Sequence, residues 1–440
     1  MSVSVGKESQ PGVRILIKNG RVIDPANAVD GPGSLLITDG VVAERLSPDA
    51  DVSADQVIDA SGLLVCPGFV DAHVSLREPG FEEDETIASG TAAALAGGFT
   101  SIAACPDTNP VVDNRGSAEF VMRQAERARN CRVFPLGAVT KGNLGEELAE
   151  IGQLVEASAV GFTDGKNPIG NAEVMRRALE YTGMFGRPIL HHSIVPELSE
   201  GGVMHEGFES TRMGLRGIPA AASDIMTGRD LALAELTEGR IHIICVTTSD
   251  AVDRIRRAQA RGISVTADVT PHHLLLTDQV MNTFDTLYKC NPPFRSQPHI
   301  DSLIQGLQDG TISVISCDHQ PLAIEKKAVE LDIAPYGICS LETGLAICVE
   351  ALIAPGHLSW SQLISCLTIG PARLLGIPHG TLSPGVAADV TLIDPDETWM
   401  VDAMCFRSRS RNTPFDQRMI TGRVVGTMVD GELRFQTRPF

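Results

Sequence analysis

The middle of this chain alternates short apolar runs with amphipathic segments. Amphipathic segments such as 84–96, 117–129, 172–185 and 249–261 separate most of the runs. The apolar runs are typical of buried strands, and they lie at 68–76, 99–105, 131–138, 159–163, 188–193, 241–248, 263–269 and 312–318. Strands that alternate with helical crossovers predict an α/β protein, here a closed (β/α)8 TIM barrel.

The two ends of the chain follow a different pattern. Residues 15–65 and 385–435 alternate β-branched and polar residues and are broken by Asn-Gly or Asp-Gly turns. Neither end is long enough for a good sheet core alone, so we expect both to build one small β-sandwich. The predicted domains are 1–66 and 378–440 for the two parts of the sandwich, with the barrel at 67–377.

Composition and charge exclude several classes of partner. The 440 residues include 36 Lys and Arg against 55 Asp and Glu, a net charge of −19 that argues against nucleic acid as a partner. Residues 1–13 lack the apolar core of a signal peptide, and no stretch approaches the roughly 18 apolar residues that span a membrane. The 10 Cys form no CxxC pair and are typical of buried thiols in a reducing compartment. We therefore expect a cytoplasmic protein without nucleic-acid or membrane partners.

Polar residues follow the predicted barrel strands at the edge where barrel enzymes build their sites. They are His73, Ser75, Asp164, His191, His192, Cys245, Asp318 and His319. Imidazole and carboxylate groups together are ligands of zinc and similar ions. The pattern indicates a metal site at this edge, and the alternative is a ring of polar residues that bind only one another.

Longer motifs connect these positions with a known family. They are "CPGFVDAHVSLREPG" (66–80), "DVTPHHLLLTD" (268–278), "NPPFRS" (291–296), "SCDHQP" (316–321), "APYGICSLET" (334–343) and "GTLSPGVAADVTLIDP" (380–395). With these motifs the chain resembles the class I dihydroorotases, within the cyclic amidohydrolases, from about Ile15 to Arg434. The resemblance implies the same barrel and sandwich, and a zinc-dependent interconversion of carbamoyl aspartate and dihydroorotate in pyrimidine biosynthesis.

The resemblance also assigns roles to residues. The metal ligands would be His73, Asp164, His191, Cys245 and Asp318, holding one or two zinc ions. His192 is an alternative to His191, and a carbamylated Lys166 is a weaker alternative to the bridging carboxylate of Asp164. Asp318 would accept a proton from the attacking water. Arg77 would hold the substrate carboxylate with two parallel hydrogen bonds. The remaining substrate-binding positions would be Asp107, Asn291, Leu322, Tyr336 and Gly337.

Four positions depart from the family pattern. The family's His-x-His is His73-Val74-Ser75 here, and a metal-binding His is replaced by Cys245. A substrate-contacting His is replaced by Leu322, and a neutral amide facing the substrate by Asp107. Serine is a poor zinc ligand because its hydroxyl stays protonated, whereas a thiolate binds zinc well. All four changes affect metal or substrate residues, which is the pattern expected when catalysis is lost and the shape is kept.

Two hypotheses follow. The first is a non-catalytic dihydroorotase-like subunit that needs no metal and supports assembly of the catalytic chain of aspartate carbamoyltransferase. The second is an active zinc dihydroorotase with a small-molecule substrate, or a related cyclic amidohydrolase with a retuned site. The resemblance implies an oligomer in either case.

Overall fold

The computed structural model describes residues 13–48, 50 and 52–440, so most of the segment examined for a signal peptide lies outside the described residues. The strands are β1 Arg14–Asp24, β2 Val29–Thr38, β3 Val41–Leu46, β4 Gln56–Asp59, β5 Leu64–Pro67, β6 Phe69–Val74, β7 Phe99–Ala104, β8 Arg132–Gly137, β9 Gly161–Phe162, β10 Ile189–His191, β11 Met204–His205, β12 Gly217–Ile218, β13 Ile241–Ile243, β14 Val265–Val269, β15 Val314–Ile315, β16 Val390–Met400, β17 Met419–Val429 and β18 Glu432–Gln436. The α-helices are α1 Ile87–Ala96, α2 Arg115–Ala128, α3 Ile151–Glu156, α4 Ala172–Gly183, α5 Pro196–Ser199, α6 Phe208–Met213, α7 Ala220–Thr237, α8 Ser249–Ala260, α9 Pro271–Leu275, α10 Gln297–Gln308, α11 Ile324–Lys327, α12 Gly344–Cys348, α13 Trp360–Leu367 and α14 Ile369–Leu375.

Eight strands form the predicted barrel. They are hydrogen-bonded in the order β15-β14-β13-β10-β9-β8-β7-β6. A parallel bridge between Val74 and His319 closes the ring, and the Ser75 amide donates to the His319 carbonyl over 3.0 Å. Each apolar run identified in the sequence contributes one strand, so the TIM-barrel prediction is confirmed.

The two chain ends form one additional sheet, as predicted. Its strand order is β18-β17-β16-β5-β1-β2-β3, with β4 beside β1. The ends meet where β16 runs antiparallel to β5, with Val390 opposite Pro67. Ile17, Leu35 and Val65 from the N-terminal part are buried in one cluster with residues of the C-terminal part. Each end therefore completes the core that the other lacks.

Helices cover the outside of the barrel and hold the strand-end loops in place. The N-terminus of α2 is capped by Asn114, that of α4 by Asn171 and that of α8 by Thr248, each accepting a backbone hydrogen bond from the first turn.

In the part of the chain that the structure describes, every helix is too short or too polar to cross a lipid bilayer.

Candidate metal and substrate site

Three of the predicted metal ligands meet at the carboxyl ends of the barrel strands. The ligand atoms of His73, Cys245 and Asp318 all lie within 4.8 Å of one another, and all three residues are buried. We call these three residues the strand-end cluster. They come from β6 and from the turns after β13 and β15, so barrel closure brings them together.

The backbone is held in an unusual conformation at this edge. Arg77, Cys245 and Asp318 have φ angles of 60°, 52° and 50°, in the left-handed region that residues other than glycine rarely adopt. The Cys245 amide donates to the Asp268 carboxylate over 2.8 Å, which helps to fix its turn. Such conformations persist where surrounding contacts enforce them, and they concentrate at functional sites.

Asp268 contacts two histidines, of which His73 belongs to the strand-end cluster. Its Oδ2 atom lies 2.9 Å from His73 Nε2 and 2.8 Å from His242 Nε2. Burial opposes ionisation of Asp268, but the two imidazoles outweigh it and hold the pKa of the carboxyl well below its usual range. For His73, the lowering effect of burial is exceeded by Asp268, so its pKa is raised. Asp268 was not among the predicted site residues, although its position as the polar residue near the end of an apolar strand was a usable signal.

Lys166 reaches into the strand-end cluster. Its Nζ lies 2.8 Å from Asp318 Oδ2 and 3.2 Å from Cys245 Sγ. Burial raises the pKa of Asp318, but Lys166 and His73 reverse that effect and lower it to about 2. Asp318 and Cys245 likewise raise the pKa of Lys166 against the opposing effect of burial. An ion pair therefore occupies the centre of the predicted metal site.

Asp164 is turned toward a neighbouring loop. Its Oδ1 accepts hydrogen bonds from the amides of Val139 at 2.8 Å and Thr140 at 3.0 Å. The chain then turns at Gly165, whose φ of 61° suits glycine, and the next side chain is that of Lys166. The structure thus gives Asp164 a role in anchoring the loop, and it brings Lys166 into the cluster.

The two adjacent histidines after β10 have different surroundings. His191 Nδ1 lies 2.7 Å from Asp230, and its Nε2 accepts from the Ile169 amide at 3.0 Å, so both ring nitrogens are engaged. Both ring nitrogens of His192 are buried without a hydrogen-bond partner. Burial and the Lys166 charge hold the pKa of His192 well below its usual value. His192 therefore has free ligand atoms and His191 has none, whereas a role for either in binding metal stays a prediction.

The predicted substrate arginine is already paired within the chain. Arg77 Nη1 lies 3.0 Å from Asp107 Oδ2, and Arg77 Nη2 donates to Gln320 Oε1 at 2.9 Å. Ser75 Oγ donates to the same Asp107 oxygen over 2.6 Å. Asn291, by contrast, keeps a buried Oδ1 without a partner. Two of the four departures from the family pattern, Ser75 and Asp107, thus contact each other beside Arg77.

The other predicted substrate residues build the loop beside Gln320. The Leu322 amide donates to Asn412 Oδ1 at 3.1 Å, and Asn412 Nδ2 donates to the Gly337 carbonyl at 3.1 Å. The Tyr336 hydroxyl donates to the Gly202 carbonyl. Gly337 has a φ of 147°, and a Cβ there would lie 2.8 Å from the Gln320 carbonyl oxygen, so glycine is required. These contacts hold the backbone of the loop together.

Comparison with known proteins identifies the family. The chain belongs to the amidohydrolase family, which residues 64–434 match. Its curated relatives include the dihydroorotase of Pelotomaculum thermopropionicum, 47% identical over 97% of this chain and 99% of the relative. The dihydroorotase of Syntrophotalea carbinolica is 46% identical over 96% of this chain and 99% of the relative. The predicted resemblance to dihydroorotases is therefore confirmed.

Solved structures share the whole fold. The L-hydantoinase (dihydropyrimidinase) from Arthrobacter aurescens superposes with a TM-score of 0.88 at 26% identity, over 97% of this chain and 96% of that one. A dihydropyrimidinase from Brevibacillus agri, at 21% identity and a TM-score of 0.82 over 97% and 96% of the two chains, shows the shared fold alone.

The metal dependence of the family can be tested against these residues. The strand-end cluster offers nitrogen, sulfur and oxygen, which are suitable zinc ligands by type. However, Lys166 is hydrogen-bonded to two of the three ligands, Asp318 and Cys245. Burial and the Asp318 charge raise the pKa of the Cys245 thiol, which disfavours the thiolate that zinc requires. In this arrangement the residues do not fit a divalent cation.

Proposed function

We propose that this protein acts at the dihydroorotase step of de novo pyrimidine biosynthesis, as an enzyme that interconverts carbamoyl aspartate and dihydroorotate. The observation that carries the proposal is the near full-length similarity to dihydroorotases, at 47% and 46% identity. The similarity covers both the barrel and the terminal sheet, so it is not confined to one part of the fold. The free thiols, nine of them buried, fit the reducing cytoplasm in which we place the protein.

The site residues support this assignment in two ways. Arg77 carries a guanidinium of the kind that binds a carboxylate through two parallel hydrogen bonds, and both ligands of the proposed reaction carry carboxylates that would replace Asp107 and Gln320 as its partners. Asp318 is ionised, and its Oδ1 has no hydrogen-bond partner, whereas its Oδ2 is held by Lys166. Asp318 Oδ1 is therefore the atom that would accept a proton from the attacking water.

The experiment is a direct assay of purified protein for interconversion of carbamoyl aspartate and dihydroorotate in both directions. The proposal predicts turnover that falls by about 100-fold or more in Asp318→Asn, since that variant keeps the side-chain shape but loses the base. Asp30→Asn is the matched control, because Asp30 pairs with Arg21 in the terminal sheet, and it should retain full activity. Equal rates in the wild type and Asp318→Asn would refute the catalytic assignment.

A second candidate function is favoured by the charges at the site. Lys166 is paired with Asp318, and Asp107 is paired with Arg77, so the two groups most needed for catalysis are bound internally. A non-catalytic subunit that supports assembly of aspartate carbamoyltransferase would retain the barrel and tolerate both pairs. Co-purification with the catalytic chain of that enzyme, together with absence of turnover, would support this function, and turnover abolished by Asp318→Asn would reject it.

A further inference from the structure

The strand-end cluster already contains a positive charge supplied by the protein itself. Lys166 Nζ is 2.8 Å from Asp318 Oδ2 and 3.2 Å from Cys245 Sγ, both within hydrogen-bonding distance. Only 5% of the Asp318 side chain is accessible and 24% of the Lys166 side chain, so the ammonium is the neutralising partner of a buried carboxylate. We propose that Lys166 is the resident cation of the strand-end cluster and excludes a divalent metal from it.

The Lys166 ammonium occupies the place where a metal bound to Cys245 Sγ and Asp318 Oδ2 would lie. A zinc ion bound to a thiolate and a carboxylate lies about 2.3 Å from sulfur and about 2.1 Å from oxygen. Lys166 Nζ lies close to the same sulfur and to the same carboxylate. An ion bound to Cys245 Sγ and to Asp318 Oδ2 would be in direct contact with the ammonium, and the two positive charges would repel each other.

The loop that carries Lys166 is fixed in a way that holds its side chain in the cluster. Asp164, two residues earlier, is anchored by the amides of Val139 and Thr140. His191, whose Nε2 accepts from the Ile169 amide three residues after Lys166, anchors the other side of the loop. A metal that binds Asp318 Oδ2 would first have to displace the Lys166 ammonium from its buried ion pair, which is costly.

This inference goes beyond the proposed function and is independent of it. Either a catalytic or a non-catalytic protein can carry an internal cation at this position. The experiment below measures metal binding and not turnover. If the protein shows no dihydroorotase turnover, the inference about Lys166 still stands. If the metal experiment fails, the turnover assay still tests the proposed function.

The test is equilibrium dialysis of chelator-treated full-length protein against zinc alone, with bound metal measured by mass spectrometry. We expect no zinc bound in the wild type and about one equivalent in Lys166→Met, with an affinity gain of about 100-fold or more, since the competing charge is gone. Lys166→Gln, which keeps a hydrogen-bond donor toward Asp318 but no charge, should show the same gain. Lys141→Met is the matched control, because Lys141 pairs with Glu147 at an exposed position, and it should behave as the wild type.

A second readout locates the bound metal. Cobalt added to Lys166→Met should give a thiolate-to-metal charge-transfer absorption, and the band should disappear in the double variant Lys166→Met with Cys245→Ala. The inference is overturned if the wild type binds one equivalent of zinc as tightly as Lys166→Met. It is also overturned if both Lys166 variants fold, as judged by their thermal unfolding, and neither gains metal.

Discussion

The pairing of Arg77 with Asp107 leads to a quantitative prediction about ligand binding. The two charged atoms are 3.0 Å apart, and the side chains are 14% and 21% accessible to solvent. Two unit charges at that distance interact by about 5.5 kcal/mol at an effective dielectric constant of about 20. Partial exposure and the hydrogen-bonding capacity of a neutral replacement reduce the usable difference to about 2 kcal/mol.

Asp107→Asn should therefore strengthen binding of dihydroorotate by about 30-fold, the factor that corresponds to about 2 kcal/mol. The amide oxygen can still accept from Ser75 and Arg77, so we expect the fold to be unchanged while the guanidinium charge becomes available to the ligand carboxylate. Isothermal titration calorimetry with dihydroorotate measures the change, and Asp30→Asn, which removes the carboxylate of another Arg–Asp pair, is the control. Unchanged or weaker binding in Asp107→Asn would refute the reasoning, as would a gain that persists when Arg77 is also replaced by Met.

Three further predictions concern stability and reactivity. Asp230→Asn should lower the free energy of unfolding by about 3 kcal/mol, because it leaves His191 and Arg229 without their buried carboxylate; a denaturant titration showing a loss below about 1 kcal/mol would contradict this. Burial, followed by the Arg295 charge, lowers the pKa of His205 to about 4, below its ordinary value, so the folded state binds this proton less readily than the unfolded chain. Stability should therefore fall as the pH drops from about 6.5 toward 4, and this slope should be smaller in His205→Gln, as measured by urea titrations at several pH values; equal slopes would be the contrary result. Cys405 is the exposed cysteine and the other nine are buried, so a thiol reagent should modify one residue rapidly in the folded protein, and Cys405→Ser should abolish that phase; a rapid phase that survives would contradict the assigned burial.

The fold could be predicted because its signals are local and repeated. Each apolar run became a strand, although some strands are much shorter than the run, as with β9 at Gly161–Phe162. The run at 241–248 continues past the end of β13 because Ile244 and Val246, in the turn around Cys245, are also buried. The pairing of the two chain ends followed from the fact that neither end could bury a sheet core alone.

The candidate site could be predicted only in part. His73, Cys245 and Asp318 each lie at or just after the carboxyl end of a barrel strand. Because these ends meet at one edge of the barrel, the sequence could predict that the three side chains lie close together. The choice between His191 and His192 could not be made, because successive residues of a strand point to opposite faces and the pattern does not fix which one faces inward.

The position of the Lys166 ammonium could not be predicted from the sequence either. A long flexible side chain can reach several places, and the charges of Asp318 and Cys245, which attract it, come from distant parts of the chain. Asp164 matched a metal-binding motif, yet its carboxylate is engaged by the amides of Val139 and Thr140. Such local backbone contacts compete with a ligand role and are visible only in three dimensions.

The identity of the cation between Asp318 and Cys245 decides whether this site can hold a metal. The direct measurement is a crystal structure of the wild-type protein grown in the presence of zinc, with anomalous diffraction recorded on both sides of the zinc absorption edge. We predict density for the Lys166 ammonium within hydrogen-bonding distance of Asp318 and no anomalous peak in the strand-end cluster. An anomalous zinc peak bound by His73, Cys245 and Asp318, with Lys166 displaced, would contradict the account.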